Sequence, residues 1–222
     1  MARDTSKLHP ILQTKLQLFL ELCQREGLKV GIGECVRSVA EQDALYAQGR
    51  TKPGGIVTNA KGSTYHSMHQ WGVAFDFYRN DGKGAYNEAN GFFKEVGALA
   101  KNLGLEWGGD WKSFSDQPHI QLPYWGSSPT QLKYLYDTPE RFFTTWNPEV
   151  PKKTVKKGSS KNDIGWIQNE LCKWTTMKLL IDRTWGDETE NAIKSYQNML
   201  GWNGNGIAGS KTIEALFNGR IR

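Results

Sequence analysis

The sequence predicts an α+β protein: a small domain that mixes helices with a short antiparallel sheet, followed by a smaller all-α domain of three helices. In the first two thirds of the chain, segments with helical and with alternating apolar spacing follow each other without a regular βαβ rhythm. In the last third, the pattern G-x-x-T-x-x-A occurs twice, at Gly186 and at Gly209, each time before a helical apolar pattern.

A change in composition divides the chain into these two domains. Residues 147–160 (NPEVPKKTVKKGSS) contain four lysines and few apolar side chains, which is typical of a solvated linker. We therefore predict a first domain over residues 1–146 and a second over residues 161–222, both of ordinary domain size.

Local patterns predict the individual elements. Apolar residues recur at helical spacing over residues 8–26, and Gly27 ends that helix. Ser38, with Glu41 three residues later, is a capping box that starts a second helix ending near Gly49. The same reasoning predicts strands at 28–32, 73–77 and 119–122, helices at 87–102 and 164–174, and two further helices capped by Asp187 and Ser210.

Composition and charge exclude several classes of protein. The chain has 222 residues, 38% of them hydrophobic, and a net charge of +5, which fits a folded domain rather than a disordered chain. No apolar run reaches the roughly 20 residues that a membrane span needs. The start at Met1–Asp4 has no signal-peptide pattern, so we expect a protein made in a cytoplasm and not exported by the usual route. The three dispersed cysteines are expected to be reduced and buried.

The segment 67–76 places chemistry-bearing residues at fixed spacing and reads S-x-H-x-x-G-x-A-x-D. On a strand, Ala74 and Asp76 share one face, and apolar side chains fill the other. Gly72 and Ala74 leave room beside the Asp76 carboxylate, and His69 can fold back toward it. Imidazole nitrogen and carboxylate oxygen are both zinc donors, so this pair predicts part of a metal site.

A second segment, D-x-P-H at residues 116–119, supplies the third ligand. His119 would complete a site of two histidines and one carboxylate, which leaves a fourth position open for water, as in catalytic zinc sites. Asp116 is placed to act as the general base and then to protonate the leaving amine. Glu106 is the alternative base.

These motifs resemble those of the LAS metallopeptidases, specifically the VanY-like D-Ala-D-Ala carboxypeptidases and the L-alanyl-D-glutamate endopeptidases of bacteriophage endolysins. The resemblance also rests on residues 33–50 (GECVRSVAEQDALYAQGR) and on WGGDW at 107–111. It implies zinc ligands at His69, Asp76 and His119 and the catalytic acid at Asp116. It further implies that Arg37 stabilises the oxyanion or holds a substrate carbonyl, and that Gln42 and Ser67 line the site. A structural ion pair is the alternative role for Arg37.

One segment departs from the family pattern. Residues 60–68 (AKGSTYHSM) form a longer and more polar run before His69 than the short Gly-Ser link expected there. The conformation of this loop, and the substrate subsite that it forms, therefore stay open at this stage.

The second domain resembles a three-helix peptidoglycan-binding domain, through the Ile167-Gln168 pair and the two G-x-x-T motifs. A purely structural helical appendage is the alternative. The two resemblances together imply a monomeric zinc endolysin of a bacteriophage, with peptidoglycan and not nucleic acid as its partner. It would stay in the host cytoplasm until lysis and then cut the L-Ala-D-Glu bond of the cell wall. A D-Ala-D-Ala carboxypeptidase and a non-catalytic zinc-containing wall-binding protein are the alternatives.

Overall fold

The computed structural model describes residues 4–221, so Met1–Arg3 and Arg222 at the ends of the two predicted domains lie outside the described residues. The chain forms two compact units, Met1–Phe143 and Thr144–Arg222. Within the described part of the chain, every helix is too short or too polar to cross a membrane.

The N-terminal unit is built on a four-stranded antiparallel sheet with strand order β1-β2-β4-β3. This confirms the predicted mixture of helices with an antiparallel sheet. The two-residue strand β3 is additional to the predicted ones, because two residues are too few to show an alternating pattern. The strands are β1 Val30–Ile32, β2 Ala74–Arg79, β3 Glu106–Trp107 and β4 His119–Gln121.

One face of this sheet is apolar and packs against helices. Phe75 on β2 and Ile120 on β4 are fully buried on that face, and Phe19 of the first helix contacts Phe75 with ring centroids 5.8 Å apart. The opposite face is therefore the one left for polar side chains. The helices of the unit are α1 Pro10–Arg25, α2 Val39–Ala47, α3 Phe92–Asn102, α4 Thr130–Tyr136 and α5 Pro139–Phe143.

The helix starts in this unit follow local chemistry. Ser38 and Glu41 form both hydrogen bonds of the predicted capping box at the start of α2. The helix predicted from residue 87 begins only at Phe92, because Asn90 and Gly91 adopt left-handed backbone angles, with φ of 63° and 69°, that break a helix.

The C-terminal unit contains the three predicted helices, α6 Lys161–Trp174, α7 Asp187–Met199 and α8 Ser210–Phe217. The predicted caps are wrong by one position. Gly186 and Gly209 are the N-cap residues of α7 and α8, and Asp187 and Ser210 are already helical. Both glycines have an extended backbone conformation, which an N-cap residue requires.

Two buried glutamines explain why the G-x-x-T pattern occurs twice. The Gln168 side-chain nitrogen contacts the Thr189 hydroxyl at 3.1 Å, and the Gln197 nitrogen contacts the Thr212 hydroxyl at 3.0 Å. Each amide also bonds to the loop before the next helix: the Gln168 oxygen accepts from the backbone N–H of Arg183, and the Gln197 oxygen accepts from Asn205. We call these two arrangements the glutamine clamps.

The segment predicted as a linker, 147–160, is solvated in part only. Its four lysines are exposed, as expected. Val155, however, is 1% exposed and pairs with Ala208 through two backbone hydrogen bonds of 2.9 and 3.0 Å. An apolar side chain between two lysine pairs therefore attaches this segment to the C-terminal unit.

Candidate metal centre

The sheet register brings polar residues together on its open face. Asp76 on β2 lies directly opposite His119 on β4. Gln121, two residues further along β4 and hence on the same face, lies opposite Glu106 on β3. This face therefore carries two adjacent rows of polar side chains, as the alternation of residues in the sequence predicted for the two central strands.

His69 reaches this face from a 3-10 turn, Met68–Trp71, that precedes β2. Gly72 ends the turn with φ 65°, a left-handed conformation in which an L side chain is strained. The His69 Nδ1–H donates to the Cys35 carbonyl at 2.8 Å, which directs Nε2 toward Asp76. The glycine of the motif thus permits the turn that orients the histidine.

Three side-chain atoms converge on one point. His69 Nε2 and His119 Nδ1 each lie 3.3 Å from Asp76 Oδ1, and the two nitrogens are 3.2 Å apart. Ligand atoms roughly 2.0–2.1 Å from a tetrahedral zinc ion are separated by about 3.3–3.4 Å. The triangle therefore has the dimensions of three ligands around one small cation, and these residues form a group able to hold a metal ion.

The hydrogen-bonding pattern of these atoms also calls for a cation. The other nitrogens, His69 Nδ1 and His119 Nε2, face the oxygen atoms of Cys35 and Gln121, so the protons lie on those outer nitrogens. The lone pairs then face the centre, and Asp76 Oδ1 is buried without a hydrogen-bond partner in the described part of the chain. Three acceptors face one another, which only a positive charge stabilises.

Electrostatics at the centre agree with this geometry. Burial disfavours the ionised carboxylate, but the two imidazoles outweigh burial and hold the pKa of Asp76 below its ordinary value. Burial of the ring disfavours a positive charge on His119, but the negative charge of Asp76 outweighs burial and raises the pKa of His119. The centre therefore favours an added positive charge.

Asp116 lies beside the centre and is held there by its backbone. Its N–H donates to the Gly108 carbonyl at 3.0 Å, and its carbonyl accepts from the His119 N–H at 3.1 Å. The Trp107 indole donates to the Gln117 carbonyl at 2.7 Å. Burial, supported by the Asp76 charge, raises the pKa of the Asp116 carboxyl although His119 opposes this. A carboxylate with a raised pKa is suited to accept a proton near neutrality.

Both carboxylate oxygens of Glu106, the alternative base, already accept hydrogen bonds. Its Oε1 accepts from the Trp111 indole at 2.6 Å, and its Oε2 accepts from Gln121 Nε2 at 3.3 Å. The Glu106 carboxylate thus binds the side chain of Gln121, which in turn contacts His119. The sequence contained no local signal for this role, because a strand of two residues shows no alternating pattern from which its pairing could be predicted.

Arg37 lines the cleft, and Gln42 does not. Arg37 is 9% exposed; its guanidinium donates to Gln42 Oε1 at 2.7 Å and lies 3.5 Å from a Glu34 carboxylate oxygen. Gln42 is fully buried, and its amide donates to the Ala60 carbonyl and the Thr58 hydroxyl. The expectation that Gln42 lines the site is therefore corrected: α2 packs it behind Arg37, which it orients.

The loop at 60–68 packs closely against α2. The Gly62 N–H donates to the Asp43 carboxylate at 2.8 Å, and a Cβ at Gly62 would lie 2.2 Å from the Val39 carbonyl oxygen. Lys133 Nζ donates to the Thr64 carbonyl at 2.8 Å. Backbone groups of this loop thus attach it to α2 and α4.

The metal centre opens into a cleft of about 980 Å³ that Arg37, Ser67 and Asp116 also line. Ser67 is half-buried directly before the turn that carries His69. Four exposed apolar side chains lie along the cleft: Ile56, Val57, Tyr86 and Phe114. The volume of this cleft lies within the range that is usual for ligand-binding sites in proteins.

Two family profiles match the chain. Residues 60–122 match the M15 peptidase profile described as D-alanyl-D-alanine carboxypeptidase. Residues 160–216 match the profile described as a peptidoglycan-binding domain. The two matches fall in different units of the structure.

Individual relatives are similar to the N-terminal part. The peptidoglycan L-alanyl-D-glutamate endopeptidase CwlK of Bacillus subtilis is 42% identical over 127 residues, which cover 53% of this chain and 74% of that protein. The L-alanyl-D-glutamate peptidase of Listeria phage A118 is 34% identical over 127 residues, covering 55% of this chain and 41% of the phage protein. The crystal structure of the L-Ala D-Glu endopeptidase ChiX of Serratia marcescens has a TM-score of 0.40 and 22% identity, covering 53% of this chain and 82% of that one.

Two histidines and a carboxylate around one centre, with a further carboxylate beside them, define a metallohydrolase type of site. With 42% identity to a relative of which it covers 74%, the chain belongs to the M15 family of peptidases, and its second unit contains the match to the peptidoglycan-binding profile.

Proposed function

We propose that this protein is a zinc-dependent endopeptidase that hydrolyses the L-Ala-D-Glu bond of the peptidoglycan stem peptide. The observation that carries the proposal is the convergence of three unprotonated ligand atoms, 3.2–3.3 Å apart, beside the Asp116 carboxylate in an open cleft. Two nitrogens and one oxygen are ligands that zinc accepts with a position left open. The activities named for the two relatives support the choice of bond.

His69, Asp76 and His119 would hold the zinc ion, which supplies Lewis acidity and lowers the pKa of water. Asp116 accepts a proton from the attacking water as the bond to the L-Ala carbonyl carbon forms. Arg37, oriented by Gln42, donates to the carbonyl oxygen as negative charge develops there. Asp116 then gives its proton to the D-Glu nitrogen as the C–N bond breaks. Ser67 would contact the substrate from the wall of the cleft.

The second unit would keep the enzyme on an insoluble substrate. A binding module attached to the wall raises the concentration of scissile bonds near the cleft. We extend the proposal to a bacteriophage endolysin that acts as a monomer on peptidoglycan and not on nucleic acid. It would remain in the host cytoplasm until lysis, and the phage relative supports this setting.

Digestion of purified peptidoglycan tests the proposed bond directly. We expect mass spectrometry of the soluble products to show new amino termini at D-Glu and new carboxyl termini at L-Ala. Release of free D-alanine without these termini would instead establish the carboxypeptidase that the family description names. No cleavage by the zinc-loaded protein would leave only wall binding and contradict the proposal.

Elemental analysis tests the metal. We expect one zinc per chain after purification without chelator, loss of activity on chelation, and recovery when zinc is added. Full activity in a protein shown to be free of metal would contradict the role of the ligands.

A further inference from the structure

Behind His119 lies a row of side chains that the proposed mechanism does not use: Gln121, Glu106 and Trp111. We infer that Gln121 and Glu106 are positioning residues that hold His119 in the tautomer with a protonated Nε2, so that Nδ1 binds the metal. The inference rests on the proposed metal binding and adds to it the residues that decide which nitrogen coordinates.

Strand pairing fixes the row. Gln121 follows His119 by two residues on β4 and lies directly opposite Glu106 on β3. Gln121 is fully buried, so its amide depends on protein partners. The His119 Nε2 to Gln121 Oε1 distance is 2.9 Å, and the Gln121 Nε2 to Glu106 Oε2 distance is 3.3 Å.

Trp111, at the end of this row of side chains, determines which group donates in each hydrogen bond. The Trp111 indole can only donate, and it donates to Glu106 Oε1 at 2.6 Å. The second oxygen of this carboxylate accepts, so the Gln121 amide turns its NH₂ group toward Glu106 and its carbonyl toward His119. A carbonyl oxygen only accepts, so His119 Nε2 carries the proton and Nδ1 is left as the ligand atom.

His69 shows why this orientation has to be imposed. It directs Nε2 to the centre, because its Nδ1–H donates to the Cys35 carbonyl, whereas His119 directs Nδ1 there. The two ligands thus need opposite tautomers, and each has its own acceptor. Loss of such outer partners typically weakens metal binding 10- to 100-fold.

The test is a variant cycle on the full chain, with the zinc dissociation constant measured by competition with a chelator of known affinity. Gln121→Met keeps the length of the side chain and removes the acceptor, and we expect zinc binding to weaken about 10- to 100-fold. Glu106→Gln is expected to weaken it less, by about tenfold, because its amide can turn the Gln121 carbonyl away from His119. Gln168→Met, at a nearly fully buried glutamine of the C-terminal unit, is the matched control, and its zinc dissociation constant should stay within about twofold of the wild-type value.

The exchanged pair, Gln121→Glu with Glu106→Gln, keeps every donor opposite an acceptor. We expect it to recover most of the zinc affinity that either single change loses, which a merely structural role would not produce. ¹⁵N spectra of the zinc-loaded protein give a second readout: His119 should keep a protonated Nε2 in the wild type and in the exchanged pair.

Wild-type zinc affinity in both single variants, or an exchanged pair no better than the singles, would overturn the inference. If Gln121→Met does not fold, Glu106→Gln and the exchanged pair decide the question by themselves. A wild-type chain that binds no zinc would refute the proposed function instead, so the two failures are distinguishable.

Discussion

The two units use buried polar side chains in opposite ways. In the C-terminal unit, both clamp glutamines are nearly fully buried, and the donors and acceptors of each amide meet complementary groups. In the N-terminal unit, three acceptors on His69, Asp76 and His119 face one another. Buried polar groups whose donors all meet acceptors are explained by folding alone. Buried acceptors that face only other acceptors need an added positive charge.

This difference in hydrogen-bond partners distinguishes structural from functional polar residues without any comparison with similar proteins. The threonines of the repeated G-x-x-T pattern and the proposed ligands in the S-x-H-x-x-G-x-A-x-D motif are equally prominent in the sequence. Only the directions of their hydrogen bonds distinguish them. The predictions below test whether changes on the two sides of this comparison have different consequences.

The largest effect is expected from Asp116→Asn. The amide cannot take up the proton of the attacking water, so we expect hydrolysis of peptidoglycan to fall about 10²- to 10⁴-fold. Zinc content and thermal stability should stay at wild-type values, because Asp116 is not among the ligands. In the wild type, activity should fall as acid protonates this carboxylate, with the midpoint above the ordinary aspartate pKa. Equal loss of zinc and activity in Asp116→Asn would place Asp116 among the structural residues.

Gly108→Ala should have the next largest effect. A Cβ at Gly108 would lie 2.5 Å from the Asp116 carbonyl oxygen and 3.1 Å from the His119 Cβ, so the backbone that carries Asp116 must move. We expect activity to fall about 10- to 100-fold, in keeping with the cost of small misplacements of reacting groups. Zinc titration and activity assays on the same sample check this. Gly55→Ala is the control, since nothing lies within 4 Å of its added Cβ.

The proposed metal ligands of the N-terminal unit were predictable because each lies in a short local motif. Strand alternation places His119 and Gln121 on one face of β4, and Gly72 marks the turn that orients His69. What the sequence could not provide were the contacts that join distant segments. The pairing of Glu106 with Gln121 depends on a two-residue strand.

The same limit explains the errors. Gln42 was assigned to the site by resemblance, yet its burial depends on how α2 packs against residues 58–60. Val155 lies in a lysine-rich segment whose composition indicates a linker, and its pairing with Ala208 is a contact over long sequence distance. Composition and periodicity report on local structure, and they do not encode which segment will be a neighbour.

A change in the glutamine clamp at Gln197 tests the structural role of buried polar residues in the C-terminal unit. Gln197→Leu leaves the Thr212 hydroxyl and the Asn205 backbone N–H without their partner. We expect the C-terminal unit to lose about 1–3 kcal/mol of unfolding free energy. Binding to peptidoglycan should weaken at temperatures where this unit unfolds, while zinc content and cleavage of soluble stem peptides stay unchanged. Ser195→Ala, at an exposed position of the same helix, is the control for urea unfolding.

His9 provides the smallest and sharpest test, because it is a buried histidine outside the metal centre. Its Nδ1 accepts from the Ile11 N–H at 3.3 Å, and its ring stacks on Phe142. Burial lowers the pKa of His9 from 6.5 to about 3. Between these values the unfolded chain binds a proton that the folded chain excludes, so the free energy of unfolding decreases as pH falls below 6.5.

The slope for one such proton approaches about 1.4 kcal/mol per pH unit. Urea unfolding of the zinc-saturated protein at pH 7, 6 and 5 measures it. His9→Asn keeps an acceptor at the helix cap and cannot titrate, so the variant should be less stable at pH 7 but should lose this part of the pH dependence. An unchanged slope in the variant would mean that His9 is protonated in the fold. The distinction between His9, whose acceptor nitrogen meets a backbone N–H, and the two histidines of the metal centre, whose acceptor nitrogens face each other, would then be wrong.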